Sequence, residues 1–212
     1  MNLGTVLRQV RQFDDAITAD RQAADIFREL GDRQGEVRAV GNLGISLGQV
    51  RRFDEALTAC REVVAIFSEL GDRHGEGRAL VNLGSVLHEV RQFDEAMTVD
   101  RQAADIFREL GDRYGEGLAI GSSGTVLRDV RRFDEAIIAH QQHLVICREL
   151  KDRYVTAQAL DNLGMDWAEL RQLGEAVTAY REAADIFREL GDHDREMDVL
   201  NKLDAVQNLM AQ

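Results

Sequence analysis

Among 212 residues carrying five histidines and two cysteines, one segment gathers side chains that could do chemistry. His140, His143 and Cys147 stand at i, i+3 and i+7, which places two imidazoles and a thiol along one helix face. Such a set can ligate a transition metal. The sequence offers no fourth ligand and no group to orient either imidazole. A second use of the same residues is volume exchange. Ser123 stands where other first helices carry leucine, bulky His143 stands where a facing helix carries alanine, and volume-conserving core exchanges are tolerated. Packing is therefore expected, with His140, His143 and Cys147 the candidate ligands were a metal bound, and no cofactor is expected. A phosphate-binding Gly-rich loop, a nucleophile elbow and a zinc-protease helix are all missing from the sequence, so an enzyme is not expected. Cys60 and Cys147 lie two periods apart, too far for a bridge spanning about 6 Å between Cα atoms.

The elements that position these residues follow a 40-residue period. Phe13-Asp14-Asp15-Ala16 returns at Phe53, Phe93 and Phe133, and in degraded form at Leu173. The turn Gly31-Asp32-Arg33 recurs at Gly71, Gly111, Lys151 and Gly191, and Asn2-Leu3-Gly4 at Asn42, Asn82, Ser122 and Asn162. No insertion breaks the register, as stacking of equal units requires. Each period reads as two amphipathic helices: Leu80, Leu83, Val86, Leu87 and Val90, then Ala96, Ala103, Ile106, Phe107 and Leu110, fall at helical spacing. The first helix should start near Asp72 as cap, the second at Asp94-Glu95, whose charge suits a helix amino end, and Gly111 should stop it in a left-handed turn. The Gly- and Ser-rich first helix of the fourth repeat is the expected bend or pliable point. Trp167 is expected in the core, and His74 and His193 on the surface.

These residues resemble the tetratricopeptide repeat over essentially the whole chain. Leu-Gly stands at residues 3–4, 43–44, 83–84 and 163–164, with small residues opposite at Ala16, Ala56, Ala96, Ala136 and Ala176. Glycine and alanine are expected to let the two helices approach backbone to backbone. The period of 40 is similar to a longer-repeat subclass found in kinesin light chains, Leu-Gly-Asn-repeat adaptors and bacterial signalling arrays. The resemblance implies an all-α, right-handed α-solenoid of antiparallel helix pairs with about 11 helices. It implies one array over 1–212: a partial repeat 1–32, repeats 33–72, 73–112, 113–152 and 153–192, and a capping helix 193–212. It further implies a concave groove, lined by the first helices, that binds a peptide or helix of a partner protein. Carried over residue by residue, the peptide-binding candidates are Asn42, Asn82 and Asn162, with Asn2 at the start. Arg38 and Arg78 stand one helical turn earlier, and Arg8, His88 and Arg128 lie further along the same face. Alternatively, the amides bond within the solenoid and the arginines are simply solvated.

Composition narrows the partners. Net charge is −12, which speaks against nucleic acid or an anionic membrane, and no run reaches the ~18 apolar residues of a membrane span. Every second helix carries net negative charge, whereas the early first helices are nearly neutral and carry arginine. A partner segment with acidic residues is thus favoured. Two cysteines fit a reducing, cytoplasmic setting. Of 26 basic residues only Lys151 and Lys202 are lysine, a bias read as bacterial coding composition. The chain has no proline where roughly ten would be usual, so glycine must make the turns. Because the first helix begins half-way through its repeat, self-association through that end is the alternative function, as is a sensor segment of a larger signalling protein.

Overall fold

The computed structural model describes residues 3–211, without the side chains of Arg8 and Gln9. Among the described residues eleven α-helices follow one another. They are α1 (Leu3–Gln9), α2 (Phe13–Leu30), α3 (Arg33–Gln49), α4 (Phe53–Leu70), α5 (Arg73–Glu89), α6 (Phe93–Leu110), α7 (Arg113–Asp129), α8 (Phe133–Glu149), α9 (Arg153–Glu169), α10 (Leu173–Leu190) and α11 (His193–Met210). The chain forms two compact units, Met1–Ile106 and Phe107–Gln212. Consecutive helices pack in pairs within each. Among the described residues no helix is long and apolar enough to cross a membrane.

Local chemistry explains the boundaries. Asp32, Asp72, Asp112, Asp152 and Asp192 each accept the backbone N–H three residues on, at 2.8–3.1 Å, and so start α3, α5, α7, α9 and α11. Gly31, Gly71, Gly111 and Gly191 end the preceding helices at φ of +67 to +74°, and Lys151 does the same at φ +57°. The other turn was not foreseen. Arg11, Arg51, Arg91, Arg131 and Arg171 sit at φ of +59 to +62° just before the second helices, a conformation costing about 1 kcal/mol for a residue with a side chain. At Arg51, Arg91 and Arg131 the guanidinium lies 5.4–5.6 Å from the centre of the next phenylalanine ring, which offsets part of that cost. The second helices begin at this phenylalanine, one before the acidic pair, or at Leu173 in α10, and Gln12, Arg52, Arg132 and Gln172 give no side-chain cap.

The glycines at the Leu-Gly position, Gly124 after Ser123 included, seat side chains of the facing helix. A Cβ at Gly124 would meet His140 Nε2 at 2.7 Å, and one at Gly164 would meet Tyr180 Cε1 at 2.5 Å. Asp20 and Asp100 fill the same space opposite Gly4 and Gly84, while Gly44 faces the Cys60 sulfur at 3.6 Å. Glycine here seats a side chain of the facing helix, aspartate in the first and third repeats and cysteine, histidine or tyrosine in the others. A second such fit joins repeats: Gly35, Gly75 and Gly115 each receive the ring of Phe27, Phe67 or Phe107. In the fifth repeat both members change together, to Val155 and Cys147, and the volume is kept. The helix α7 runs unbroken through Gly121 and Gly124.

Arginine is structural as well as compositional. Arg21 pairs with Glu55, Arg28 with Glu62, Arg61 with Glu95 and Arg148 with Glu182, at 2.6–2.9 Å and each 34 residues apart. Arg33–Glu69, Arg113–Glu149 and Arg153–Glu189 repeat the theme at 36. Glu36, 1% exposed, lies between Arg28 and Arg33, and Glu116 between Arg108 and Arg113. Lysine could not bridge two carboxylates with the same fork. Exposed pairs are each worth under about 1 kcal/mol, but this ladder fixes the register of neighbouring repeats.

Candidate functional site

In the first unit, the face predicted to bind a partner segment belongs to α3 and α5. Helical spacing puts Arg38, Gly41, Ile45 and Gly48 on one stripe of α3, and Arg78, Asn82 and Ser85 on one stripe of α5. Between them lies an apolar trough of about 250 Å³, floored by Val40, Cys60, Val63 and Ala79 and rimmed by Asn82 and Ser85. It exists because Gly41 and Gly48 replace the bulkier Val81 and His88 of the next repeat. Ile45 is 55% exposed at its edge. Arg38 and Arg78 are exposed one turn nearer the helix amino ends, and neither makes an ion pair among the described residues. Asn82 is exposed on the rim, and Asn42 is half-buried. His88 is half-buried with its ring 5.7 Å from that of Phe93. Arg8 and Asn2 were also predicted; the side chain of the first and all of the second lie outside the described residues.

The second unit places its predicted residues differently. Arg128 donates to Asn162 Oδ1 at 3.1 Å and lies 3.4 Å from Asp166 Oδ1. The other oxygen of Asp166 is 2.5 Å from His140 Nδ1, and both of these residues are fully buried. Two groove candidates are thereby tied into one buried polar chain. Asp166 was missed by sequence reasoning, although a signal existed: an acid stands where α3, α5 and α7 carry Ser46, Val86 and Val126. At the places of Arg38 and Arg78 stand Leu118 and Gln158. They border a smaller cavity of about 160 Å³ that is also lined by Tyr114, Ile146 and Val155. This part of the groove face is apolar, with Leu118 and Tyr114 largely exposed.

The candidate metal ligands are spent on packing. His140 is turned onto Asp166, with its Nε2 against Gly124. His143 fills the space over Gly121, where a Cβ would lie 2.7 Å from its Nδ1. Gly121 is thus its neighbour on the facing helix, a contact the sequence reading did not name. Burial, aided by charge on His140, pushes the His143 imidazole down to about 4. Cys147 packs among α9 residues, and burial pushes its thiol up to about 11, so it is poor as nucleophile or ligand. Among the described residues no group of three His, Cys, Asp or Glu side chains could hold a metal ion. Trp167 is half-buried against the core of the second unit. Lys202 of α11 reaches back to Asp161 at 2.8 Å, an anchor for that helix.

The model of the tetratricopeptide repeat matches residues 36–109 and 118–189. No match is found among curated proteins. Similar solved structures include BtubC from P. vanneervenii (19% identity, 89% of this chain and 78% of that one, TM-score 0.81). A signal transduction ATPase with a tetratricopeptide-repeat sensor from Pyrococcus horikoshii is similar at 15% identity over 96% of this chain and 31% of that one, with a TM-score of 0.83. A putative kinesin light chain from Podospora anserina, with nearly identical repeats, is similar at 14% identity over 90% and 93%, with a TM-score of 0.77. At such identities the likeness is one of fold.

Proposed function

The chain belongs to the tetratricopeptide-repeat family, and we propose that it is a non-catalytic scaffold that holds a peptide or helix of a partner protein on the face of its first helices. One observation carries the reading. Arg38 and Arg78, which make no ion pair among the described residues, stand beside an apolar trough with an amide on its rim. That combination suits a segment with an aliphatic or aromatic side chain for the trough and a carboxylate for the guanidinium groups. Asn82 can donate to and accept from the backbone of such a segment whatever its sequence. Asn42 and His88 belong to the same two helices, and Arg8, Arg128 and Asn162 are the further contacts proposed on other first helices. The proposed setting is the cytoplasm, with Cys60 and Cys147 as free thiols. Capture of partners from the native cell, repeated with Asn42→Ala and Asn82→Ala, tests it. The substitutions should reduce what is captured; an unchanged set of partners would sink the amide role.

A second reading has its own observation. Ile26 is 55% exposed, while its counterparts Ile66, Ile106, Ile146 and Ile186 are at most 5% exposed. With Leu3, Val6 and Val10 it forms an apolar edge at α1 and α2 that another helix could cover, which favours self-association. A third use, as the sensor part of a signalling protein, is what one structural neighbour has its repeats for.

A further inference from the structure

The outer face of α8 departs from its four counterparts. At the four outward positions that share one helical stripe, α2 carries Thr18, Arg21, Gln22 and Asp25, and α4 carries Thr58, Arg61, Glu62 and Ala65. On α6 they are Thr98, Arg101, Gln102 and Asp105, and on α10 Thr178, Arg181, Glu182 and Asp185. On α8 they are Ile138, Gln141, Gln142 and Val145, with no charge at all. Ile138 and Val145 are 55% and 54% exposed. The change is not neutral for the fold. Residues at the first of the charged positions reach the next repeat in Arg21–Glu55 and Arg61–Glu95, and Gln141 cannot; Gln142 likewise stands where Glu62 and Glu182 accept an arginine.

We propose that this face binds a second copy of the chain, α8 against α8 and antiparallel, about a dyad between Gln141 and Gln142. Spacing and charge both favour that occupant. With the dyad there, Ile138 lies opposite the partner subunit's Val145, about 10 Å along the helix from its own Val145, so both ends of the stripe are apolar. Gln141 meets Gln142 of the partner subunit, and two side-chain amides can bond each other in this pairing. One turn further out, Glu135 faces Arg148 of the partner subunit, an attractive pair made twice by the symmetry. Glu135 and Arg148 already bond Arg132 and Glu182, at 2.5 and 2.6 Å, which holds both at the surface in reach of a neighbour. One helix face of three turns is below the size of a standard interface, so the dimer is weak and concentration-dependent.

The test is sedimentation equilibrium of the full chain from about 1 to 500 µM. The 23.8 kDa chain should rise toward twice that mass. Ile138→Thr with Val145→Asp, the residues of α2 in the same places, should keep the helical circular dichroism and raise the dissociation constant about tenfold or more. Glu135→Arg and Arg148→Glu should each weaken the dimer alone, and an equimolar mixture of the two should restore it, since every facing pair is then attractive. A chain that stays monomeric at every concentration overturns the proposal. So does a dimer indifferent to Ile138→Thr with Val145→Asp, which would point to the α1–α2 edge, or a mixture that fails to recover.

Discussion

His143 makes the second unit acid-sensitive in a way that can be isolated. Its Nδ1 is buried without a partner over Gly121, and burial lowers its pKa from 6.5 to about 4. The sign is fixed by which state takes the proton. Below pH 6.5 the unfolded chain binds one that the folded chain refuses, so stability falls as pH falls, by about 1.4 kcal/mol per pH unit. Above pH 7 the residue contributes nothing. By pH 5 the loss is about 2 kcal/mol, and near pH 4 it levels off at about 3. The variant Gly121→Val with His143→Ala copies Val81 and Ala103 of the third repeat, keeping volume while removing the titrating group. Both chains are unfolded in urea at several pH values and followed by circular dichroism. Glu55, Glu135 and Glu196, whose carboxyls are held low by Arg52, Arg132 and Arg188, lose stability in acid equally in both. The difference between the chains therefore reports His143 alone. It should widen by about 2 kcal/mol from pH 7.5 to 5. Parallel curves would refute the reasoning.

Other substitutions separate packing from charge. Gly164→Ala drives a methyl into Tyr180 and should destabilise by about 1–3 kcal/mol in thermal unfolding, whereas Gly174→Ala, with nothing within 4 Å, should be neutral or slightly stabilising. Asp166→Asn removes the fully buried carboxylate that bonds His140 and pairs with Arg128 and should cost about 3 kcal/mol. Arg61→Ala removes an exposed rung of the ladder and should cost under about 1 kcal/mol, with the loss shrinking at high salt, as urea titrations at two ionic strengths would show.

The sequence carries its local signals openly. The aspartate caps, the glycine stops and the 40-residue register are properties of short segments, and they recur from repeat to repeat, with Lys151 the one exception among the stops. What it conceals depends on which residues face each other across 16 or 26 positions. The Leu-Gly glycines, with Gly124 in the fourth repeat, serve Asp20, Cys60, Asp100, His140 and Tyr180, a fit visible only once the second helix is laid on the first. The joint change to Cys147 and Val155 has the same character. The arginines at positive φ were hidden because arginine has no preference for that conformation, and only the recurrence of Arg two before Phe betrays it. Of the candidate site, Asn82, Arg38 and Arg78 share the α3–α5 face as the spacing implies, while Arg128 and Asn162 are bound to each other. The trough could not be read from single residues, since it is made by side chains that are small.

The central claim is that the α3–α5 face reads a partner segment through Arg38, Arg78 and Asn82. Selection of a random peptide library displayed on phage tests it without knowledge of the partner. Wild type should enrich peptides with a carboxylate about three residues from a large apolar side chain, the separation of the arginine pair from the trough. Arg38→Glu with Arg78→Glu should abolish that preference or turn it toward basic residues, leaving the apolar anchor. Enrichment of the same acidic peptides by both chains would contradict the account.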